Sequence, residues 1–251
     1  MAYRYFIKLK YNGQHYHGWQ IQPNATSVQA CLNNALKLIL KCDIETTGCG
    51  RTDTGVHARQ FYAHFDLETP ISDCDHVVQR LDAMRLPGIL CEEILEVPSE
   101  LHARFSATSR SYEYHIMHKR DPFLEGYAHH VFGKLDFDKM NAAAAKLLGY
   151  NDFSAFSKSN TQVHTTICTV TEAIWKMDGS NAVFHISADR FLRNMVRAIV
   201  GTLLDIGLGK MKVDELERII QSHDRSEAGC SVPAHGLYLT QIEYPPSYQL
   251  R

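Results

Sequence analysis

The chain has 251 residues, 45% apolar and 22% charged, with a formal net charge of -2 at pH 7, the make-up of an ordinary globular protein with one large domain or two small ones. No apolar run reaches the roughly 18 residues of a membrane span, and the opening stretch Met1 to Phe6 reads as a strand and not as a signal peptide. A cytoplasmic protein without a membrane segment is expected.

Tyr3 to Tyr11 alternates as a strand should and ends in the turn signal Asn12-Gly13. Tyr16 to Gln22 follows as a polar, glycine-bearing loop whose Trp19 is either a core plug with a polar rim or a stacking surface. Thr26-Ser27-Val28-Gln29 fits a capping box, and Val28, Leu32, Ala35, Leu36, Ile39 and Leu40 keep helical spacing to about Lys41. Gln60 to Leu67 is a strand, Asp73 to Arg85 a helix stopped before Leu86-Pro87-Gly88, and Ile89 to Val97 another strand. The joint at 101–108 is poor in Gly and Ser and reads as structured, which divides the chain into domains at 1–105 and 106–251.

Beyond the joint, Arg110 to Ile116 alternates with Tyr112, Tyr114 and Ile116 on one face. A helix over Phe137 to Leu148 is closed by Gly149 as C-cap, and Thr165 to Met177 with Ala182 to Ser187 forms a hairpin around Asp178-Gly179-Ser180-Asn181. Asp189 to Asp205 reads as a helix with Arg190, Arg193 and Arg197 on one stripe and Leu192, Met195, Val196, Ile199 and Leu203 opposite. Three arginines in register suit phosphate or carboxylate partners, or form a solvated face. A helix near Val213 to Ser222 and a strand at Gly236 to Tyr244 complete an α+β pattern in two similar halves.

The stretch Gly48 to Ala58 holds three glycines, Arg51 and Asp53 between two expected strands. Glycines let the chain bend sharply and let a ligand approach the main chain, and Asp53 is the one acid between Glu45 and Asp66. An active-site loop and a plain turn hydrogen-bonded by Thr52 and Asp53 both fit. Seven cysteines without a Cys-x-x-Cys pair imply reduced thiols, most of them packing residues, with Cys49 the exception by its place next to this loop. Fourteen histidines raise a metal site, but His115 and His118 lie three apart on a strand and point to opposite faces, so no metal is expected. Net charge says little about nucleic acid; distribution says more, with acids gathered at Asp73 to Asp82, Glu92 to Glu100 and Asp214 to Glu217, and arginines around Arg104, Arg110 and Arg190 to Arg197.

Gly50-Arg51-Thr52-Asp53-Thr54-Gly55-Val56-His57-Ala58 closely resembles the catalytic motif of the tRNA pseudouridine synthase A family, usually G-R-T-D-A-G-V-H-A. Further matches run in order: Tyr11-Asn12-Gly13 with Gly18-Trp19-Gln20, His102-Ala103-Arg104-Phe105, Arg110 to Tyr114, Asp152-Phe153, Phe191 to Arg197 with Gly201, and Pro233 to Leu239. The departures are Thr54 for Ala, Asp82 where Asn is common, and Leu86 to Leu90 without the usual acid after the proline; of these, Thr54 adds a hydroxyl beside the catalytic aspartate.

The resemblance implies a pseudouridine synthase fold, a central mixed or antiparallel sheet built from two ferredoxin-like (RRM-like) halves flanked by helices, with the active site in the cleft between them. It implies a homodimer that isomerises uridine to pseudouridine at positions 38, 39 and 40 of the tRNA anticodon stem-loop, without cofactor or metal. By resemblance Asp53 is the nucleophile or acid-base carboxylate, Arg197 its ion partner, and Tyr112 the ring that stacks on uracil and takes the C5 proton. Arg51 fills the gap left by the flipped nucleotide, Leu237 walls the base, His57 joins the substrate contacts, and Arg190 and Arg193 grip phosphates. Two other functions share features with this one: a nucleoside hydrolase or glycosylase, which releases free base, and a non-catalytic RNA-binding module, which has no need of the acid.

Overall fold

In the computed structural model, which describes residues 2–158 and 165–248, the chain forms two compact units: the residues up to Thr108 with those from Leu239 on, and Ser109–Tyr238. Met1, which opens the expected first strand, lies outside the described residues.

In the first unit, β1 (Tyr3–Tyr11) has the expected bounds and buries Tyr5, Ile7 and Leu9 on one face and Phe6 on the other, as a strand covered on both sides must. α1 (Val28–Leu40) buries Val28, Leu32, Leu36 and Ile39. Its cap corrects the expected box: Ser27 is the N-cap, its Oγ accepting the Ala30 N–H at 3.2 Å. The Gln29 amide instead accepts the Ile21 N–H and donates to the Thr46 carbonyl, pinning the chain on either side of the helix. β2 (Thr47–Gly48) pairs antiparallel with β3 (His57–Leu67), which starts three residues earlier than Gln60 because His57, Ala58 and Arg59 already run extended. α2 (Cys74–Ala83) is capped by the Asp73 carboxylate, and Arg85 at φ +47° turns the chain into β4 (Ile89–Val97), which has its expected bounds. β1 lies between β3 and β4, antiparallel to both, with Ile7 opposite Ala63 and Ile94.

In the second unit, β5 (Ser109–Met117) pairs antiparallel with β8 (Asn181–Ala188), which pairs antiparallel with β7 (Val170–Asp178); β6 (His129–His130), absent from the sequence expectation, runs parallel to β5. Tyr114 opposite Phe184, and Phe184 opposite Trp175, carry the expected β5 face across the sheet into a buried core. The β7–β8 turn has Gly179 at φ +61°, the first central position at which a two-residue loop needs a left-handed residue. β7 starts at Val170 and not Thr165, because the preceding residues pair elsewhere: Thr166 O accepts the Phe153 N–H and Asn151 O the Cys168 N–H.

α3 (Phe137–Lys146) passes into a 3₁₀ turn, Leu147–Gly149, so Gly149 ends that turn and is not a left-handed C-cap. Asn141 on α3 binds both backbone polar groups of Trp175 on β7. α4 (Met195–Gly207) corrects the longest helical expectation. Its N-cap Asn194 sits at φ +69° and the Arg193 carbonyl accepts the Lys158 N–H, so Arg190 and Arg193 precede the helix and only Arg197 stands on it. α5 (Glu215–Ser222) follows, and β9 (Leu237–Glu243) begins in the second unit and passes at Leu239 into the first, next to β3. The pattern is α+β as expected, and no helix among the described residues is long and apolar enough to cross a membrane.

Candidate active site

Asp53 stands half-buried in a loop that the N-terminal segment cradles. The Trp19 N–H donates to the Thr52 carbonyl at 3.4 Å and the Gly55 N–H to the Tyr16 carbonyl at 3.2 Å. The Tyr11 hydroxyl meets Thr52 Oγ1 at 2.9 Å, and the Val56 N–H closes the bend on the Asp53 carbonyl at 3.1 Å. The bend is thus fixed from both sides by main-chain bonds; on it Arg51 and Thr54 are exposed and Asp53 is half-buried.

Two glycines outside the loop make this approach possible. A Cβ on Gly13 would land on the Val56 carbonyl oxygen, and one on Gly18, at φ +82°, on the Thr52 carbonyl oxygen. Within the loop only Gly55, at φ +81°, uses the left-handed region; Gly48 is small because Trp19 lies on it, 2.5 Å from where a Cβ would stand, and Gly50 faces open space. Trp19 is 1% exposed, its ring 4.2 Å from that of Phe61 and tilted 30° to it, so it is the core plug. His57, expected among the substrate contacts, is 2% exposed and its Nδ1 accepts the Gly13 N–H at 3.1 Å, which makes it a strut of the cradle. Cys49 is buried, and its N–H donates to the Tyr62 carbonyl.

In the second unit, Tyr112 on β5 is partly exposed, with the Phe191 ring edge-on to it at 5.1 Å and 87°. The segment Val232–Leu237 lies against α4. The Arg197 Nε–H donates to the Val232 carbonyl at 2.8 Å, the Val232 N–H returns to the Arg197 carbonyl, and a Cβ on Gly201 would land on the Cys230 carbonyl oxygen. The Tyr114 hydroxyl donates to the Pro233 carbonyl at 2.9 Å; burial raises its pKa far above the ordinary phenol value, against the opposing pull of the Arg197 charge. Arg197 is therefore aimed by the backbone that carries Leu237, itself buried. Arg193 is exposed and Arg190 partly so, both on the loop ahead of α4. Among the described residues no group of three or more His, Cys, Asp or Glu side chains is placed to hold a metal ion.

His64 on β3 carries the largest histidine shift in the first unit. Burial first, then the Arg4 and His102 charges, hold its pKa at about 4 against an ordinary 6.5, and its Nδ1 accepts the Ala103 N–H at 3.2 Å. The unfolded chain therefore binds a proton that the fold refuses: His64's contribution is complete above pH 6.5 and is lost as pH falls toward 4. Urea unfolding at pH 7 and pH 4 should show the wild type losing on the order of 2 kcal/mol more than His64→Asn, which keeps an acceptor and cannot titrate. Equal losses would show that His64 is protonated in the folded chain.

A sequence model of the family described as tRNA pseudouridine synthase matches residues 143–245. The tRNA pseudouridine synthase A of Bacteroides fragilis is 49% identical to this chain over 243 residues, 96% of each. The chain belongs to the tRNA pseudouridine synthase A family. The α+β architecture is that of the pseudouridine synthase fold, and the tRNA pseudouridine synthase A family is one of isomerases. The family members of Bacteroides thetaiotaomicron, 49% identical over 96% of this chain and 91% of their own, and of Acetivibrio thermocellus, 39% identical over 94% and 97%, agree. The matched range of the family model contains Arg190, Arg193, Arg197 and Leu237; Asp53 and Tyr112 lie before it.

The residues to which the sequence assigns no role are the supports: Tyr11, Gly13 and Gly18 under the Asp53 loop, Phe191 against Tyr112, and Val232 on Arg197. All fall in or beside the motifs that carried the resemblance, but their partners are distant in sequence.

Proposed function

We propose that this chain isomerises uridine to pseudouridine in tRNA, at positions 38, 39 and 40 of the anticodon stem-loop, with Asp53 as the essential carboxylate. The observation that carries the assignment is the Asp53 loop itself: a bend fixed by main-chain bonds on both sides that carries a single carboxylate, in a chain whose relatives are tRNA pseudouridine synthases A. The reaction breaks the N1–C1′ bond, turns the uracil, joins C5 to C1′, and moves the C5 proton away while N1 gains one. Atoms balance without an oxidant or an energy donor. It requires one carboxylate to attack or deprotonate the sugar through an oxocarbenium-like transition state, and a preorganised loop supplies that group already oriented.

In this proposal Asp53 acts with Tyr112 and Arg197 on one uridine. Arg197 keeps the carboxylate ionised, Tyr112 stacks on the uracil and accepts the C5 proton, and Leu237 walls the detached base from water. Arg51, exposed beside Asp53, takes the place of the flipped nucleotide, whose extrusion costs a few kcal/mol. Arg190 and Arg193 bind phosphates with salt-dependent strength, and His57 acts through the cradle. The active form is a homodimer.

The test is tritium release from tRNA labelled at uridine C5, with free uracil measured in parallel. One tritium released per pseudouridine formed, without free uracil, supports the isomerase. Free uracil would assign a glycosylase, and binding of tRNA without release a non-catalytic module.

A further inference from the structure

Between Leu90 and Phe123 the chain exposes one large apolar side chain, Phe105, which is 77% exposed. It stands in the turn His102–Ser106, and that turn is rigid. The His102 N–H donates to Ser106 Oγ at 2.9 Å, the Ser106 N–H to the His102 carbonyl at 3.0 Å, and the Arg104 and Phe105 N–H groups both donate to His102 Nδ1 at 3.1 and 3.2 Å. Three further bonds hold the turn to the sheet: Arg4 Nη1 to the Leu101 carbonyl at 3.1 Å, the Ala103 N–H to His64 Nδ1 at 3.2 Å, and the Tyr244 hydroxyl to the Ala103 carbonyl at 2.6 Å. The backbone is thus fixed in a position that holds a phenyl ring out in water.

Around that ring the planar groups are polar. The His102 imidazole lies 4.4 Å from the Phe105 centroid and the Arg104 guanidinium 5.6 Å above the ring, with Arg104 itself exposed. Burial and the neighbouring Arg4 and Arg104 charges lower the His102 pKa, so at neutral pH the surface has one neutral ring, one phenyl ring and one permanent cation. A protein interface core gathers several apolar residues, whereas here one exposed aromatic stands beside an imidazole and a guanidinium. An exposed ring backed by an imidazole and a guanidinium is what an unstacked nucleobase and its phosphate recognise.

We propose that His102, Arg104 and Phe105 form a stacking platform for an unpaired base of the tRNA, with Arg104 on the adjoining phosphate, as a binding element in addition to the Asp53 loop. This rests on the tRNA reading above. The full-length protein is tested with a tRNA transcript as probe, as wild type, Phe105→Ala and Phe105→Trp. Because Phe105 is exposed, the Ala variant should keep the wild-type unfolding midpoint, and its Kd for the transcript should rise about 10- to 100-fold. Phe105→Trp should bind as the wild type does. The chain's two tryptophans, Trp19 and Trp175, are buried and out of reach of a stacking base, so quenching by tRNA beyond that seen in the wild type reports the new indole. An unchanged Kd for Phe105→Ala, or no quenching of Phe105→Trp, overturns the platform. So does a loss of affinity accompanied by a change of sedimentation coefficient without RNA, which assigns Phe105 to contact with a second copy. A wild type that neither binds the transcript nor releases tritium would remove the tRNA reading, whereas release by the wild type with unaltered binding by Phe105→Ala removes the platform alone.

Discussion

Asp53→Asn is expected to lower pseudouridine formation by at least about 10³-fold while tRNA affinity stays within a few-fold of wild type. Asn has nearly the shape of Asp, and the bonds that fix the bend, Trp19 N–H to Thr52 O, Gly55 N–H to Tyr16 O and Val56 N–H to Asp53 O, run through the main chain. The substitution therefore removes the charge and basicity of one group and leaves its support in place. An amide neither attacks C1′ nor takes a sugar proton at a useful rate. Single-turnover tritium release at saturating enzyme separates chemistry from binding; release within ten-fold of wild type would show that another group does the work given to Asp53.

Gly18→Ala should be nearly as damaging by a different route. At φ +82° the new methyl group is strained by its own backbone, and it also meets the Thr52 carbonyl oxygen, with the Asp53 carbonyl carbon 3.2 Å away. The cradle must retreat from the loop, breaking the Trp19 N–H to Thr52 O bond and the packing of Trp19 on Phe61. A stability loss of about 2–4 kcal/mol is expected, and because a displacement of about 1 Å at a reacting group costs roughly 10²-fold, turnover should fall by that much in the fraction that remains folded. Denaturant unfolding and tritium release on the same preparation read both. Wild-type values in either would show that the loop adapts to the methyl group.

The limits of the sequence are visible at these same residues. β1 and β4 have their expected bounds because alternation and turn residues are local signals, and the two-residue turn at Gly179 follows from composition alone. The start of α4 does not: Arg190, Arg193 and Arg197 keep helical spacing, yet Asn194 is left-handed and the Arg193 carbonyl serves Lys158. Periodicity cannot report where a backbone hydrogen bond goes. The capping box fails for a similar reason, since Gln29 is claimed by Ile21 and Thr46, on strands of chain the pattern does not see. At the candidate site the motif glycines were legible as glycines, but which of them was small for packing and which for its dihedral angle depended on partners such as Val56, Trp19 and Cys230. His57 shows the consequence: the motif placed it near the chemistry, and its burial against Gly13 makes it a support.

The most direct measurement is to incubate unmodified tRNA with the purified wild-type protein and map pseudouridine by carbodiimide adduct formation and primer extension. The account predicts adducts at positions 38, 39 and 40 wherever uridine stands there, absent from the Asp53→Asn reaction. Adducts confined to another arm, or none from a folded protein that binds the tRNA, would contradict it.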